Sequence, residues 1–185
     1  VSVRKVVIFT GSPLEGFPGH FEVKSLQPEN THGMAFKWGV HHTKAFLIGC
    51  DRGLRVVVHT ANLLPGDCEM KSQAAFVQDF PPKSSSSPGI PSPFEEDLSE
   101  YLASYMHLQG GRGLDGLHDW PRPPVDSPTR PGPCSLRDLP RFYDFSGAYG
   151  RLVASCPGRH TGAALSTFGH RKLSRLVSST ARALP

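Results

Sequence analysis

The sequence has few cysteines, and their spacing excludes the common metal and redox motifs. Its 185 residues include four cysteines, and no two of them form a C-x-x-C pair, so neither a zinc ribbon nor a redox dithiol is indicated. The histidines show neither the H-x-x-x-H nor the H-E-x-x-H spacing of zinc enzymes. We therefore predict a chemistry without a metal or cofactor, and reduced, partly buried thiols in an intracellular protein.

Long apolar runs are also lacking. No run approaches the ~20 residues of a membrane span, and no targeting signal is visible, so no membrane partner is expected. The chain opens with VSVRKVVIF, a strand-like run without a methionine, and this predicts a piece of a longer protein. The net charge of +4 and the isoelectric point of about 9.0 suit an anionic partner such as nucleic acid.

Runs of β-branched and apolar residues alternate with helical patterns along the chain. Residues 11–33 are dominated by glycine, proline and polar residues, and they predict a loop. Strands are predicted at 3–10, 43–50, 54–62, 73–80 and 151–156. This alternation favours an α/β layered domain with a central mixed sheet.

Two helices are predicted. The first begins with Ser92 as N-cap, Pro93 at the first position and Glu95 completing a capping box. Its apolar face consists of Phe94, Leu98, Tyr101, Leu102, Tyr105 and Met106. A basic helix follows at 170–184, with an apolar stripe of Leu173, Leu176 and Val177. Its cations could face phosphate or solvent. Two proline-rich stretches, at about 81–93 and 109–140, predict flexible excursions.

The stretch GVHHTKAFLIGCDRGLRVVVHTANLLPGD, residues 39–67, predicts a hairpin with polar groups at its open end. If residues 51–53 form a three-residue loop, positions that face each other sum to 104. The facing pairs would then be Cys50–Leu54, Lys44–Thr60 and His42–Asn62. Because side chains alternate along a strand, these polar groups would project from one face. His41 and His59 would lie on the opposite face as structural histidines.

An imidazole, an ammonium and a carboxamide side by side suit phosphoryl transfer without a metal. A neutral histidine can attack phosphorus and form a covalent intermediate. A lysine neutralises the phosphoryl oxygens, and an asparagine donates a hydrogen bond without adding negative charge. A lone H-x-K is also typical of a satisfied histidine beside a surface lysine, and the residues alone leave both interpretations open.

HHTKAFLIGCDRGLRVVVHTANLLPGD resembles the first active-site motif of the tyrosyl-DNA phosphodiesterase family, within the phospholipase D superfamily. The resemblance continues through KSQ at 71–73, the helix at 94–106 and LVASCPGRHTG…FGHRKL at 152–173. Phospholipases read H-x-K-x-x-x-x-D, which requires aspartate where this chain has Gly49. The departure favours the tyrosyl-DNA branch over a lipase.

The resemblance implies a phospholipase D-like half-domain over residues 1–185, the amino-terminal half of the family's fold. It implies that His42 is the nucleophile, that Lys44 binds phosphate and that Asn62 completes the motif. Gln73 matches a family glutamine that positions the second catalytic histidine. Trp38 matches an aromatic that packs against DNA, although a packed core tryptophan is an equal alternative.

The resemblance further implies a nuclear DNA-repair hydrolase with exonuclease character. Its substrates would be DNA 3′ ends, single- or double-stranded, bearing tyrosyl or related adducts. Full-length members carry a second H-x-K…N set, and none is visible here, because Lys172 follows His170 in a basic helix with no asparagine downstream. Two hypotheses therefore stand: half of an active phosphodiesterase, or a truncated, inactive module that binds DNA ends.

Overall fold

The computed structural model of the chain describes residues 6–10, 21–25, 41–50, 52–104, 136–156 and 160–183. The chain divides into two compact units. The first comprises 1–42, 100–116 and 152–185, and the second comprises 43–99 and 117–151. None of the helices within the described residues combines the length and the apolar character that a bilayer crossing requires.

The second unit contains a three-stranded antiparallel sheet. Its strands are β3 at Ala45–Cys50, β4 at Gly53–His59 and β5 at Ala75–Phe80, side by side in that order. Valine, isoleucine, leucine and phenylalanine dominate these runs, because their side chains suit a pleated, half-buried surface. The strands predicted at 43–50, 54–62 and 73–80 are confirmed in place, with slightly different ends.

The predicted register of the hairpin is wrong by one residue. Cys50 pairs with Gly53 rather than with Leu54, and the ladder ends at Ala45 opposite Val58. Gly53 belongs to the strand because the neighbouring backbone comes very close: a Cβ there would lie 2.1 Å from the Phe80 carbonyl oxygen, and φ is +144°. Only glycine meets both conditions without strain. Gly53, which the sequence placed in the loop, therefore belongs to the sheet.

One face of this sheet forms the core of the second unit. Leu54, Val56 and Phe80 are each no more than 2% exposed. The Phe80 ring lies 5.4 Å from Phe94 and 4.3 Å from Phe145, between ring centroids. Aromatic side chains at these distances bury large areas and gain from favourable ring geometry. The apolar alternation of β4 and β5 thus fixes which face meets the rest of the unit.

Residues 136–151 complete that core from a distant part of the sequence. Leu136–Phe142 forms a 3-10 helix, and Leu139 and Tyr143 are fully buried. Tyr143 bridges to Pro82, and the Lys83 backbone N–H donates to the Phe142 carbonyl over 2.9 Å. These contacts place 81–83 beside 142–144, while the predicted flexibility of 81–93 stays a prediction.

The helix predicted after Ser92 is confirmed. The short helix Pro65–Met70 is α1. The confirmed helix is α2, Pro93–Ser104. The Ser92 hydroxyl accepts from the Glu95 backbone N–H over 3.2 Å, as an N-cap does. The predicted apolar residues Phe94, Leu98, Tyr101 and Leu102 are buried. Tyr105 and Met106 lie outside the described residues.

The first unit contains a two-stranded parallel pair, β1 at Val6–Thr10 and β2 at Phe21–Ser25. The strand predicted at 3–10 is confirmed at 6–10, and residues 3–5 lie outside the described residues. The loop predicted for 11–33 is wrong at β2, because FEVKS gains its partner only through pairing with a distant run. The described strands therefore form one parallel and one antiparallel sheet, where a single mixed sheet was predicted.

The strand predicted at 151–156 is not formed. Ala154 is buried, and its carbonyl accepts from the Gly169 backbone N–H over 2.8 Å instead of joining a ladder. The basic helix is confirmed as α3, Gly169–Ala183, after a 3-10 turn at Gly162–Ser166. Its predicted apolar stripe is only partly covered: Leu173 and Val177 are exposed and Leu176 is half-buried. Lys172 is buried, with its ammonium 3.9 Å from Glu100.

The described cysteines are free thiols, as predicted, but two of them are not partly buried. Cys50 and Cys68 are exposed, and Cys156 is half-buried. Burial raises the pKa of the Cys156 thiol, which is the expected direction for a group that loses water around its charged form. Cys134 lies outside the described residues.

The described residues together form a mixed α/β fold.

Candidate functional site: the strand-end loop of the second unit

The segment 41–44 leads directly into β3. His42 is exposed, and Lys44 is half-buried. The Lys44 carbonyl accepts from the His59 backbone N–H over 2.9 Å, so the register places Lys44 opposite His59. The predicted pairs Lys44–Thr60 and His42–Asn62 are therefore wrong. The one-residue shift at Gly53 moves every pairing, and β4 ends at His59, before Thr60 and Asn62.

His59 was predicted on the face opposite Lys44, and it lies on the same face. Its ring stacks on Phe46, with 5.0 Å between centroids and 16° between the ring planes. The predicted face is therefore wrong, and the predicted structural role of His59 stays a prediction. His59 is the last residue of β4, and the chain continues from it to Asn62.

Asn62 lies in the loop between β4 and α1 and is exposed. Its backbone N–H and its side-chain Nδ2 both donate to Asp67 Oδ2, over 3.0 and 2.5 Å. The next residue, Leu63, has a φ of +57°, a left-handed conformation that costs a non-glycine residue about 1–2 kcal/mol. This reversal turns the chain back, so that Asn62 meets the first turn of α1.

Asp67 is the centre of the loop. It is 7% exposed, and its Oδ1 accepts from the Lys71 ammonium over 2.7 Å, one helical turn further on. Hydrogen bonds from Lys71, the Asn62 amide and the Asn62 backbone hold the pKa of this carboxyl well below its usual range. A carboxylate that accepts several N–H bonds remains charged, because each donor stabilises the anion.

Gln73 joins the same loop from the other side. Its Nε2 donates to the Asp67 carbonyl over 3.1 Å, and its Oε1 accepts a close hydrogen bond from the Thr60 hydroxyl. Thr60 Oγ1 in turn accepts from the Ala74 backbone N–H over 3.0 Å. The structure thus brings Asn62 and Gln73 together through Asp67, a juxtaposition that strand alternation did not predict.

Sequence reasoning missed Asp67 and Lys71, and it placed Thr60 opposite Lys44, whereas Thr60 contacts Gln73. A signal for the first two was present: Pro65 is typical of a first helical position, and Asp67 and Lys71 have the i, i+4 spacing of an ion pair. The link from Asp67 to Asn62 had no sequence signal, because it depends on the backbone reversal at Leu63. Trp38 lies outside the described residues.

Metal ligands do not assemble among the residues whose positions the structure gives: there, histidine, cysteine, aspartate and glutamate form no group of three that could hold an ion. The predicted metal-free chemistry stays a prediction. The loop places the side-chain amides of Asn62 and Gln73 and the Lys71 ammonium around Asp67, on an α/β scaffold. Such hydrogen-bond donors are typical of sites that handle phosphate esters.

Comparison with known proteins agrees with that class. The sequence model of the tyrosyl-DNA phosphodiesterase family matches residues 28–184. The chain is 37% identical over 145 residues to tyrosyl-DNA phosphodiesterase 1 of Arabidopsis thaliana, covering 78% of this chain and 22% of that protein. It is 33% identical over 142 residues to a probable tyrosyl-DNA phosphodiesterase of Caenorhabditis elegans, covering 76% and 26%. The chain belongs to the tyrosyl-DNA phosphodiesterase family.

The matched residues make up most of this chain but only a small part of each relative. The chain spans about a quarter of the length of the curated relatives it matches. His42, Lys44, Asn62 and Gln73 all fall within the matched residues.

Proposed function

We propose that this chain is the amino-terminal part of a DNA-repair phosphodiesterase that releases tyrosyl and related adducts from DNA 3′ ends. The observation that carries the proposal is the family match over residues 28–184, which includes all the predicted site residues. The loop geometry supports it, because Asn62 and Gln73 are oriented by hydrogen bonds before any substrate arrives. Preorganised donors of this kind stabilise charge that develops in a transition state. The fold would be a half-domain of the phospholipase D type, and the protein would act in the nucleus.

The first chemical step would be attack by His42. A ring nitrogen of the neutral imidazole supplies the electron pair for a new N–P bond, and the P–O bond to the tyrosyl oxygen breaks. The leaving oxygen takes that electron pair and then a proton. Lys44 neutralises the phosphoryl oxygens, and Asn62 donates to one of them. Water then cleaves the phosphohistidine, with Gln73 positioning the second histidine and Trp38 stacking on a base.

The experiment uses the 185-residue chain and an oligonucleotide with a 3′-p-nitrophenyl phosphate. Nitrophenolate leaves as an anion, so the step needs no general acid, whose absence otherwise costs about 10²–10⁴ in rate. We expect one nitrophenolate released for each chain, slow turnover, and an acid-labile adduct whose peptide map places phosphate on His42. Chelators should leave the rate unchanged. His42→Ala should form no adduct, and phosphate on His41 would contradict the assignment.

A second candidate is an inactive module that binds DNA ends. The 185 residues hold one H-x-K…N set, and the proposed mechanism needs a second histidine. Both candidates predict sequence-tolerant binding that weakens with salt, because phosphate contacts dominate. They differ in the adduct. Binding of the oligonucleotide without any covalent product on His42 would support the module and contradict the phosphodiesterase.

A further inference from the structure

The proposed site places Asn62 beside the phosphate, yet an asparagine amide can present either its oxygen or its NH2 group. An oxygen facing a phosphate would repel it, whereas the NH2 group would donate to it. Asp67 distinguishes the two orientations. A carboxylate only accepts hydrogen bonds, so the contact of 2.5 Å between Asp67 Oδ2 and Asn62 requires the NH2 group on that side. An NH2 group carries two hydrogens, and the second one remains to donate in another direction.

We propose that Asp67 is a positioning residue for the phosphodiesterase reaction, and that it acts by holding the Asn62 amide with its NH2 group turned toward the scissile phosphate. The inference rests on the proposed function. Asp67 also holds the Asn62 backbone N–H over 3.0 Å, so main chain and side chain are fixed by one oxygen. Nothing in the family resemblance assigned Asp67 a role.

Lys71 completes the arrangement by balancing the charge. A bare carboxylate near a phosphate would repel the substrate, because like charges disfavour approach. The Lys71 ammonium lies 2.7 Å from the other carboxylate oxygen, Oδ1, and cancels that charge. The two carboxylate oxygens of Asp67 therefore bind different partners: Oδ2 orients Asn62, and Oδ1 pairs with Lys71.

The same residue connects the two amides of the loop through its backbone. The Asp67 carbonyl accepts from Gln73 Nε2 over 3.1 Å. A substitution of the Asp67 side chain leaves this backbone acceptor in place. The side-chain effect on Asn62 can thus be measured separately from the placement of Gln73.

The test compares Asp67→Asn, Asn62→Ala and the double variant in single-turnover adduct formation with the 3′-p-nitrophenyl oligonucleotide. Loss of a hydrogen bond to a charged group corresponds to roughly a tenfold to a hundredfold slower maximal rate. We expect Asp67→Asn and Asn62→Ala each to show this, with a smaller change in the half-saturating concentration. The double variant should be no slower than Asn62→Ala alone, because the carboxylate acts through that amide.

The matched control is Asp79→Asn, which removes another aspartate of the second unit from an ion pair, with Arg55. It should leave the rate unchanged. Independent slowing in the double variant, or a faster Asp67→Asn, would overturn the inference, the latter showing that Asp67 matters only as a repelling charge. Absence of any adduct in the unsubstituted chain would instead overturn the proposed function, and the inference with it.

A second measurement covers the case in which Asp67→Asn does not fold. In the unsubstituted chain, the two hydrogens of the Asn62 side-chain amide should give widely separated signals in a ¹H–¹⁵N spectrum, because only one of them is bound to the carboxylate. A pair of signals that is close together at neutral pH would overturn the inference.

Discussion

The two faces of the β3-β4-β5 sheet carry similar residues, but one face is buried and the other is exposed. On one face Leu54, Val56 and Phe80 are no more than 2% exposed. On the other, Phe46, Ile48 and Val77 are 40–48% exposed. Both sets are β-branched, aliphatic or aromatic. Apolar character alone therefore does not identify the buried face of this sheet.

The difference between the faces depends on the register. A shift of one residue turns every side chain of a strand to the other face. Here Gly53 sets the register, because only a residue without a side chain fits against the Phe80 carbonyl. The same shift places Lys44 and His59, rather than Lys44 and Thr60, on the exposed face. One glycine thus decides both the core and the surroundings of the candidate site.

The largest effect should come from the buried face. Phe80→Ala should lower the free energy of unfolding by about 3–5 kcal/mol, the usual cost of removing a fully buried phenylalanine. Phe46→Ala is the matched control, the same change on the exposed face, and should cost less than half as much because less area is buried. Urea unfolding followed by circular dichroism measures both. Equal losses would contradict the assignment of the two faces.

Gly53→Ala should have the next largest effect. The added Cβ would meet the Phe80 carbonyl oxygen at 2.1 Å, and forced backbone shifts of this kind cost about 1–3 kcal/mol. Gly89→Ala is the control, since a Cβ there meets nothing within 4 Å. Thermal unfolding compares the pair. A Gly53→Ala chain as stable as the control would show that the register does not depend on this glycine.

A smaller effect is expected from the ion pair on the exposed face. Arg55 Nε lies 2.7 Å from Asp79 Oδ1, and its hydrogen bond and charge lower the pKa of Asp79. A lowered pKa contributes stability above the pKa of the unfolded chain, and this contribution is lost as the pH falls. The unsubstituted chain should therefore lose more stability between neutral and acid pH than Asp79→Asn. An identical pH dependence of the melting temperature would contradict the pair.

The smallest effect should follow Val77→Thr, which replaces one β-branched side chain by another at a position 46% exposed. Surface substitutions of this kind change the free energy of unfolding by about 0.5 kcal/mol or less. Urea unfolding at neutral pH provides the measurement. A loss as large as that of Phe80→Ala would show that this face is covered in solution.

Much of the fold could be predicted from local signals. The β-branched runs identified β3, β4 and β5, and Ser92, Pro93 and Glu95 marked the start of α2. The identities of His42, Lys44 and Asn62 as candidates followed from a motif. These signals are short in range and depend on a few neighbouring residues.

The predictions that were wrong concern contacts that the local sequence does not determine. FEVKS becomes a strand by pairing with β1, whereas RLVASC joins no ladder among the described residues and the Ala154 carbonyl accepts from the Gly169 N–H. The pairing of Asn62 with Asp67 requires the left-handed backbone at Leu63, which a leucine does not suggest. Sequence patterns indicate what a segment can become, and its partners decide the outcome.

The ion pair between Arg151 and Asp97 has a consequence for how this chain tolerates change in length. Two hydrogen bonds of 2.8 and 3.0 Å join residues that are 54 apart in sequence, and Asp97 is buried. Closing a loop costs entropy that grows only with the logarithm of its length, so doubling the intervening chain adds only about 0.6 kcal/mol. A change in the number of residues between these two anchors should therefore cost the core that they join little stability.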